Sequence, residues 1–342
     1  MIETLSFCNV CYKKIPAKIT FRSGQVVMYK TCDVHGEKIS FVEKSIKHWS
    51  DFYEYGTMNK NNVIIIHAHD ACNMRCSFCY YPMGAEKMRD AEYYNQILGI
   101  YRPTHRLLLS GGEPTLRPDF FDFVAKLDAL GWYPATITNM VKLADDEFFK
   151  KTLTTLFIEG NIYRFAMSMQ HPKYYSSDIY KSKIKVLKSM EEQKLKATCM
   201  MFSIQSLEEL EWIRDFYNDT KHLYMMLRIR TMFKNWANKG YEDNLFCSDL
   251  HKAFMWKFKD LNPVQCRMIE HSNAYCLYMI MDGGHHVSLS SSPTVENIDI
   301  NLCSRPTFML ALDNRCYPVP ITQIINEGIS LGWKDGFRIK ED

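Results

Sequence analysis

The chain has 342 residues, about twice the ~150 of an ordinary domain, with 46 % hydrophobic and 24 % charged side chains and no low-complexity tract, which excludes disorder as its main state. Forty-two basic against 39 acidic residues leave a net charge of +3, so no broad field marks a nucleic-acid or membrane-surface partner. The longest wholly apolar run, Val63 to Ile66, is far short of the ~20 residues that span a bilayer, and the N-terminus has no basic segment leading an apolar one; the expectation is a cytoplasmic protein without a membrane span.

Twelve cysteines are many for a reducing compartment, where clustered cysteines hold metal more often than disulfides. The first cluster is Cys8-x2-Cys11 followed by Cys32-x2-His35, and the stretch between the two pairs reads as a β-hairpin. Ser23-Gly24 suits a turn between Ile19-Thr20-Phe21 and Val26-Val27-Met28-Tyr29, which brings the pairs together in a ribbon. Three thiolates and an imidazole suit tetrahedral zinc in a structural role; rubredoxin-like iron, a redox pair of thiols and no metal at all are the competing readings.

The β-branched run Val63 to Ile66 reads as a strand feeding a loop with Cys72, Cys76 and Cys79 at C-x3-C-x2-C spacing. Three thiolates on one loop can hold three irons of a cubane and leave the fourth open to a small molecule. A zinc knuckle or three unrelated buried cysteines compete, although structural zinc usually takes four ligands in paired C-x2-C units. A second apolar strand near Leu107 ends in Gly111, Gly112, Glu113 and Pro114, and a third near Ala135 ends in Thr138-Asn139. Glycines admit close approach of backbone to a ligand, and a carboxylate pairs with an ammonium group.

Together these segments resemble the radical S-adenosylmethionine (SAM) superfamily, whose cysteine loop carries an aromatic residue, here Phe78, before its last cysteine. The resemblance implies a [4Fe–4S] cluster on Cys72, Cys76 and Cys79, and SAM held by its amino group at Gly111, Gly112 and Glu113, with Asn139 beside it. Ser168 and Gln170, at the expected end of the fourth strand, fall where the superfamily contacts the ribose and carboxylate of SAM. Arg228 and Arg230 alternate on the sixth strand and so share a face, where they suit the SAM carboxylate or a substrate acid, against a reading as salt-bridge partners. From about residue 5 to 230 the pattern looks like the clade containing the archaeal tetraether lipid synthases and methanopterin-related methyltransferases, with the Cys-x2-Cys…Cys-x2-His lead segment.

Six strands are expected, starting near Val63, Leu107, Ala135, Phe165, Thr198 and Met225. Helical stripes alternate with them at Tyr94, Ile97, Leu98 and Tyr101, at Phe120, Phe123, Val124 and Leu127, at Ile184, Leu187 and Met190, and after a capping box Ser206-x-x-Glu209 at Leu210, Ile213 and Tyr217. This is an α/β chain, and the resemblance implies an open (β/α)6 partial barrel whose ligands gather at the C-terminal strand ends. Residues 1–50 are expected as the metal-binding segment, 60–261 as the barrel and 262–342 as a small β-rich cap. The cap holds strands around Asp282-Gly283-Gly284, a hairpin at Asp313-Asn314, and, just before it, a helix over Phe246 to Leu261.

Of the wider-spaced cysteines, Cys199 and Cys247 read as buried small hydrophobes, and Cys266, Cys276, Cys303 and Cys316 either do the same or converge on an auxiliary cluster. His69 and Asp70 flank the cluster loop and suit either supporting or local turn roles; His285 and His286 follow a Gly-Gly turn and read as exposed. The favoured function is a radical SAM enzyme that abstracts hydrogen from carbon, using SAM, a [4Fe–4S] cluster, zinc (or rubredoxin-like iron) and a reducing partner such as flavodoxin or ferredoxin. A non-catalytic iron–sulfur or zinc module on the same fold is the alternative.

Overall fold

In the computed structural model the described residues are 1–8, 10–11, 13–55, 57–58, 62–76, 79, 88–99, 105–156, 162–231, 245–271, 274–291, 307–310, 315–318 and 337–338. The N-terminal segment is an antiparallel sheet of β1 (Ile2–Phe7), β2 (Lys14–Arg22), β3 (Gln25–Cys32) and β4 (Gly36–Glu43), in that order. The expected hairpin is present: Arg22 faces Gln25, and Ser23 and Gly24 take φ of 50° and 78°, the two left-handed residues that match a two-residue turn to the strand twist. Ala17, Ile19, Val26, Met28 and Val42 form a small core closed by Trp49 of α1 (Ile46–Tyr55).

After the short β5 (Thr57–Met58), six strands follow: β6 (Asn62–His69), β7 (His105–Gly111), β8 (Ala135–Thr138), β9 (Ile162–Ser168), β10 (Lys196–Ile204) and β11 (Met226–Thr231). They pair in parallel in chain order, as the alternation of strand and helix patterns implies. The connecting helices are α2 (Ala91–Leu98), α3 (Phe120–Ala129), α4 (Asp146–Thr155), α5 (Ser177–Glu192) and α6 (Glu209–Thr220), with α7 (Cys247–Lys257) after β11. Ile64, Ile66, Leu107, Leu109, Phe165, Met167, Met200, Phe202, Leu227 and Ile229 point toward the helices in one continuous core. Because side chains alternate along a strand, the residues between them face the opposite, inner side of the sheet.

Helix α4 carries a weak apolar pattern, with Thr152 its one fully buried side chain, and the sequence reading passes over it. The expected stripe on α5 is present, with Leu187 and Met190 buried and Ile184 packed against the same core, and it widens to include the buried Lys183 and Val186. At α6 the capping box forms in part: Glu209 accepts the backbone N–H of Ser206 at 3.2 Å, but the Ser206 hydroxyl takes the N–H of Glu208 instead of that of Glu209.

The C-terminal region is β-rich, and its strands extend the barrel sheet at both edges. On one side β14 (His285–Ser291) pairs in parallel with β11, followed by β13 (Ala274–Met281), β12 (Val264–His271) and β5. On the other, β15 (Thr307–Leu310) pairs in parallel with β6 and is followed by β16 (Arg315–Pro318) and β17 (Phe337–Arg338). The expected hairpin between β15 and β16 is present, while its Asp313-Asn314 turn lies outside the described residues. His285 is half-buried where exposure was expected: its Nε2 lies 2.8 Å and 2.9 Å from the carbonyls of Lys221 and Tyr224, between the rings of Tyr217 and Tyr224.

The ribbon meets the barrel at the N-terminus of α7. Glu43, buried at the end of β4, accepts the amides of Lys44 and Ser45 and both the hydroxyl and the N–H of Ser248, while Lys44 pairs with Asp249 at 3.0 Å. No side chain of the helix's own capping residue Phe246 does this, so a carboxylate from another element supplies the cap. Among the described residues no helix is long and apolar enough to cross a membrane.

Candidate metal centre and cofactor site

Cys8 and Cys11 sit on the turn after β1, and Cys32 and His35 on the turn from β3 to β4, so antiparallel pairing of the hairpin delivers both pairs to one end of the ribbon. Their four ligand atoms all lie within 4.8 Å of one another. His35 Nδ1 is 3.5 Å from the sulfurs of both Cys8 and Cys32, and Cys11 and Cys32 sulfurs are 3.8 Å apart. These are the edge lengths of a tetrahedron around one ion at ~2.3 Å from sulfur and ~2.0 Å from nitrogen. Burial pushes the Cys8 thiol up, but the backbone N–H groups of Cys11 and Val10 outweigh it and hold it down at about 7, ready to bind metal as a thiolate.

The second site is built from three strand ends. Beyond β6, the backbone of His69, Asp70 and Ala71 leads directly into Cys72. Gly112 donates its N–H to the carbonyl of His69, and Glu113 donates its own to the carbonyl of Ala71, both at 2.8 Å. A Cβ on Gly111 would stand 2.5 Å from His69 O, and Gly111 holds φ +120°. Both glycines are therefore required by a close approach of backbone to backbone.

Glu113 is 1 % exposed. Its Oε1 accepts the Thr115 hydroxyl at 2.6 Å and the Thr138 hydroxyl at 2.8 Å, and its Oε2 accepts the Asn139 N–H at 2.6 Å. Burial nevertheless raises its pKa. The carboxylate thus ties β7 to β8, and Oε2, with one bond, retains acceptor capacity for a ligand ammonium. Asn139 continues the chain of contacts, donating from Nδ2 to Asn73 Oδ1 at 2.8 Å and toward the Cys72 sulfur at 3.7 Å, which also receives the Met74 N–H at 3.4 Å.

Cys72, Cys76 and Cys79 are half-buried and form no disulfide. Among the described residues the ribbon ligands are the group whose atoms all gather within 4.8 Å of one another. Burial, with Cys79 adding to it, pushes the Cys76 thiol up to about 12, and burial raises Cys72 as well. Thiols in such a place ionise when a metal replaces the proton. The donors directed at Cys72 suit a cluster thiolate.

Lys183, which the sequence reading did not single out, is 0 % exposed. It projects from α5, donates to the carbonyls of Asn139 at 2.6 Å and Ser168 at 2.7 Å, and lies 4.7 Å from the Tyr175 ring centroid. Burial lowers its pKa to about 8, opposed by the neighbouring Cys76 and Glu113. The signal was present in helical phase: Lys183 occupies the first position of the apolar stripe completed by Val186, Leu187 and Met190.

Ser168 and Gln170 meet as a pair, Gln170 Nε2 donating to Ser168 Oγ at 2.7 Å, while the Tyr175 hydroxyl donates to Gln170 Oε1. Arg228 and Arg230 lie on the inner face of β11, opposite Leu227 and Ile229. His69 and Asp70 are buried beneath the loop. Cys199 and Cys247 are buried, as expected of small hydrophobes. Phe78, Cys303 and the side chains of Cys266, Cys276 and Cys316 lie outside the described residues.

Parallel strands whose C-terminal ends bring a three-cysteine loop, a Gly-Gly-Glu turn and Thr-Asn together define a radical SAM domain, and residues 66–229 match the radical SAM superfamily. Residues 2–44 match the zinc ribbon domain found at the N-terminus of HMPTM proteins. The chain thus carries a radical SAM domain behind an N-terminal zinc ribbon domain; that domain type works with a [4Fe–4S] cluster and SAM, and the ribbon provides a further metal site.

The 7,8-dihydro-6-hydroxymethylpterin dimethyltransferase of Methanocaldococcus jannaschii is 26 % identical over 198 residues, 46 % of this chain and 38 % of that protein. The chain spans less than half the length of the curated relatives it matches. Among solved structures, Streptococcus suis SuiB bound to S-adenosylmethionine matches with a TM-score of 0.52 at 12 % identity, over 80 % of this chain and 63 % of that one. SuiB bound to its precursor peptide SuiA matches with a TM-score of 0.51 at 11 % identity, over 80 % and 62 %. At such identity the likeness is one of fold.

Proposed function

We propose that the chain is an enzyme that cleaves SAM reductively and uses the product to activate an unreactive carbon of its substrate. The observation that carries this reading is the backbone zipper from His69 and Ala71 to Gly112 and Glu113, which fixes the cysteine loop against the Gly-Gly-Glu turn. Reduction of a sulfonium requires it to be held against the cluster, so proximity and orientation are the protein's main contribution. Cys72, Cys76 and Cys79 would hold the cluster, which would supply one electron to SAM, breaking its C5'–S bond to give methionine and a 5'-deoxyadenosyl radical able to take hydrogen from a substrate carbon.

The residues divide the cofactor between them. Glu113 Oε2 and the Gly111-Gly112 backbone receive the amino group, Asn139 orients the turn beside Cys72, and Ser168 with Gln170 receives hydroxyl or carboxylate oxygens. Lys183 adds a buried positive charge beside Ser168, suited to the SAM carboxylate and to the anionic cluster. Phe78, the aromatic residue before the last cysteine of the loop, joins the cofactor-binding residues in this reading. The ribbon metal on Cys8, Cys11, Cys32 and His35 is structural. A flavodoxin- or ferredoxin-like protein is the electron donor.

The net reaction is C–C bond formation, methylation, dehydrogenation or rearrangement of a small molecule, lipid or peptide. The dimethyltransferase relative favours methylation among these. A non-catalytic module on this fold is disfavoured by the intact Cys72, Cys76, Cys79 and Glu113. Electron paramagnetic resonance of the reduced, reconstituted protein tests the reading: adding SAM perturbs the signal of a [4Fe–4S] centre with an open iron, and a signal indifferent to SAM contradicts it.

A further inference from the structure

We infer that Tyr175 is a positioning residue for SAM: its phenol fixes the Gln170 amide so that the Ser168–Gln170 pair presents only hydrogen-bond donors, which selects the carboxylate of the cofactor over its hydroxyls. The inference rests on the radical SAM reading above and gives one group of SAM to a pair that the reading leaves shared between hydroxyl and carboxylate oxygens.

The strand sets where the pair sits. Phe165 and Met167 belong to the core under the helices, so Ser168 projects from the inner face at the end of β9, half-buried, and the buried Gln170 joins it there through its side chain. The chain then turns through Pro172–Tyr174 and brings the Tyr175 phenol back onto Gln170.

A carboxamide is symmetric in shape but not in hydrogen bonding, because one end only accepts and the other only donates. Tyr175 Oη accepts the backbone N–H of Gln170 at 2.9 Å, and its own proton goes to Gln170 Oε1. Nε2 therefore faces Ser168 and donates to its Oγ at 2.7 Å. The Ser168 O–H and the second Nε2–H of Gln170 are left to give, and among the described residues neither has an acceptor. With the amide turned over, Oε1 would take the serine proton and the serine would offer only lone pairs. One phenolic proton thus decides whether the pair gives or accepts. Burial, with the neighbouring Cys76 adding to it, raises the Tyr175 pKa, so that proton stays in place.

A carboxylate only accepts, whereas ribose hydroxyls accept and donate alike, so a pair that only donates discriminates in favour of the carboxylate. Two further contacts agree. Lys183 donates to the carbonyls of Ser168 at 2.7 Å and Asn139 at 2.6 Å and stands 4.7 Å from the Tyr175 ring centroid, which puts a buried positive charge behind the pair. The same two bonds hold the end of β9 against the end of β8, where the Asn139 N–H meets Glu113 Oε2. The amino and carboxylate groups of SAM share one carbon, so their receptors have to be neighbours, as these two strand ends are.

The test is equilibrium dialysis of SAM and, separately, of decarboxylated SAM against the anaerobically reconstituted full chain. Tyr175→Phe should weaken SAM binding by about fivefold, the net worth of one hydrogen bond, and leave binding of decarboxylated SAM as in wild type. Gln170→Leu, which removes the amide without adding charge, should weaken SAM at least as much and again spare the decarboxylated ligand. In the Gln170→Leu background, Tyr175→Phe should cost nothing more, because the phenol acts through the amide. Thermal midpoints identify a Tyr175→Phe protein that has simply lost its fold, in which case Gln170→Leu carries the comparison. Equal losses for the two ligands, no loss for either, or a further loss from Tyr175→Phe on top of Gln170→Leu overturns the inference while leaving SAM binding, and so the radical SAM reading, in place. A cluster-loaded wild-type protein that binds neither ligand refutes that reading itself and the inference with it.

Discussion

A methyl group on Gly112 would stand 2.3 Å from the carbonyl oxygen of Ala71, one residue before the first cysteine of the loop. Neither backbone can give way without breaking the paired hydrogen bonds that join them. Gly112→Ala is therefore expected to destabilise the barrel by about 1–3 kcal/mol, the usual cost of overpacking, and to displace the cysteine loop. Iron content after reconstitution should fall well below wild type while ribbon metal is retained. Full iron loading in a stable Gly112→Ala protein would show that the zipper does not set the loop.

The ribbon should hold one ion per chain. Cys32→Ser removes a thiolate whose pKa is lowered by the backbone N–H groups of Val34 and His35. Metal analysis should show ribbon zinc lost from Cys32→Ser and weakened in His35→Ala, with the iron–sulfur centre unaffected. Loss of cluster iron in the same variants would mean that the two centres are coupled.

Much of this was legible in local sequence because the information is local. Ser23-Gly24 encodes its own turn, and the six parallel strands announce themselves by short apolar runs between helical stripes. What a strand pairs with is not written in it: the segment around Asp282-Gly283-Gly284 reads correctly as two strands, yet nothing in His285–Ser291 says that it lies parallel to β11 and carries the sheet onward. Lys183 was hidden for the opposite reason, since a lysine beside apolar residues is ordinarily a solvated edge and only exact helical phase places it inside.

Lys183 offers a direct check on how the cofactor is held. Lys183→Met keeps the aliphatic length and removes the charge beside Ser168 and Asn139. The SAM dissociation constant, measured by equilibrium dialysis, should rise about tenfold, or 1.4 kcal/mol. An unchanged constant would reduce Lys183 to a support for the two carbonyls.

The ribbon–barrel junction should respond to pH from both sides. Burial raises the Glu43 pKa, so its contribution to stability is complete below the ordinary glutamate value near ~4.3 and is lost as pH rises through the raised value. Burial, with His48 adding to it, lowers His251 on α7 to about 4, so its contribution is complete above ~6.5 and is lost as pH falls through about 4. Urea midpoints across this range should flatten on the alkaline side in Glu43→Gln and on the acid side in His251→Asn. Curves parallel to wild type would remove both groups from the linkage.

The most direct measurement is anaerobic 5'-deoxyadenosine formation from SAM under dithionite, comparing wild type with Cys76→Ala at equal, verified folding. The account predicts about four irons per barrel cluster and 5'-deoxyadenosine from wild type, and neither from the variant. A folded wild-type protein that takes up no cluster, or a Cys76→Ala protein that cleaves SAM as well as wild type, would contradict it.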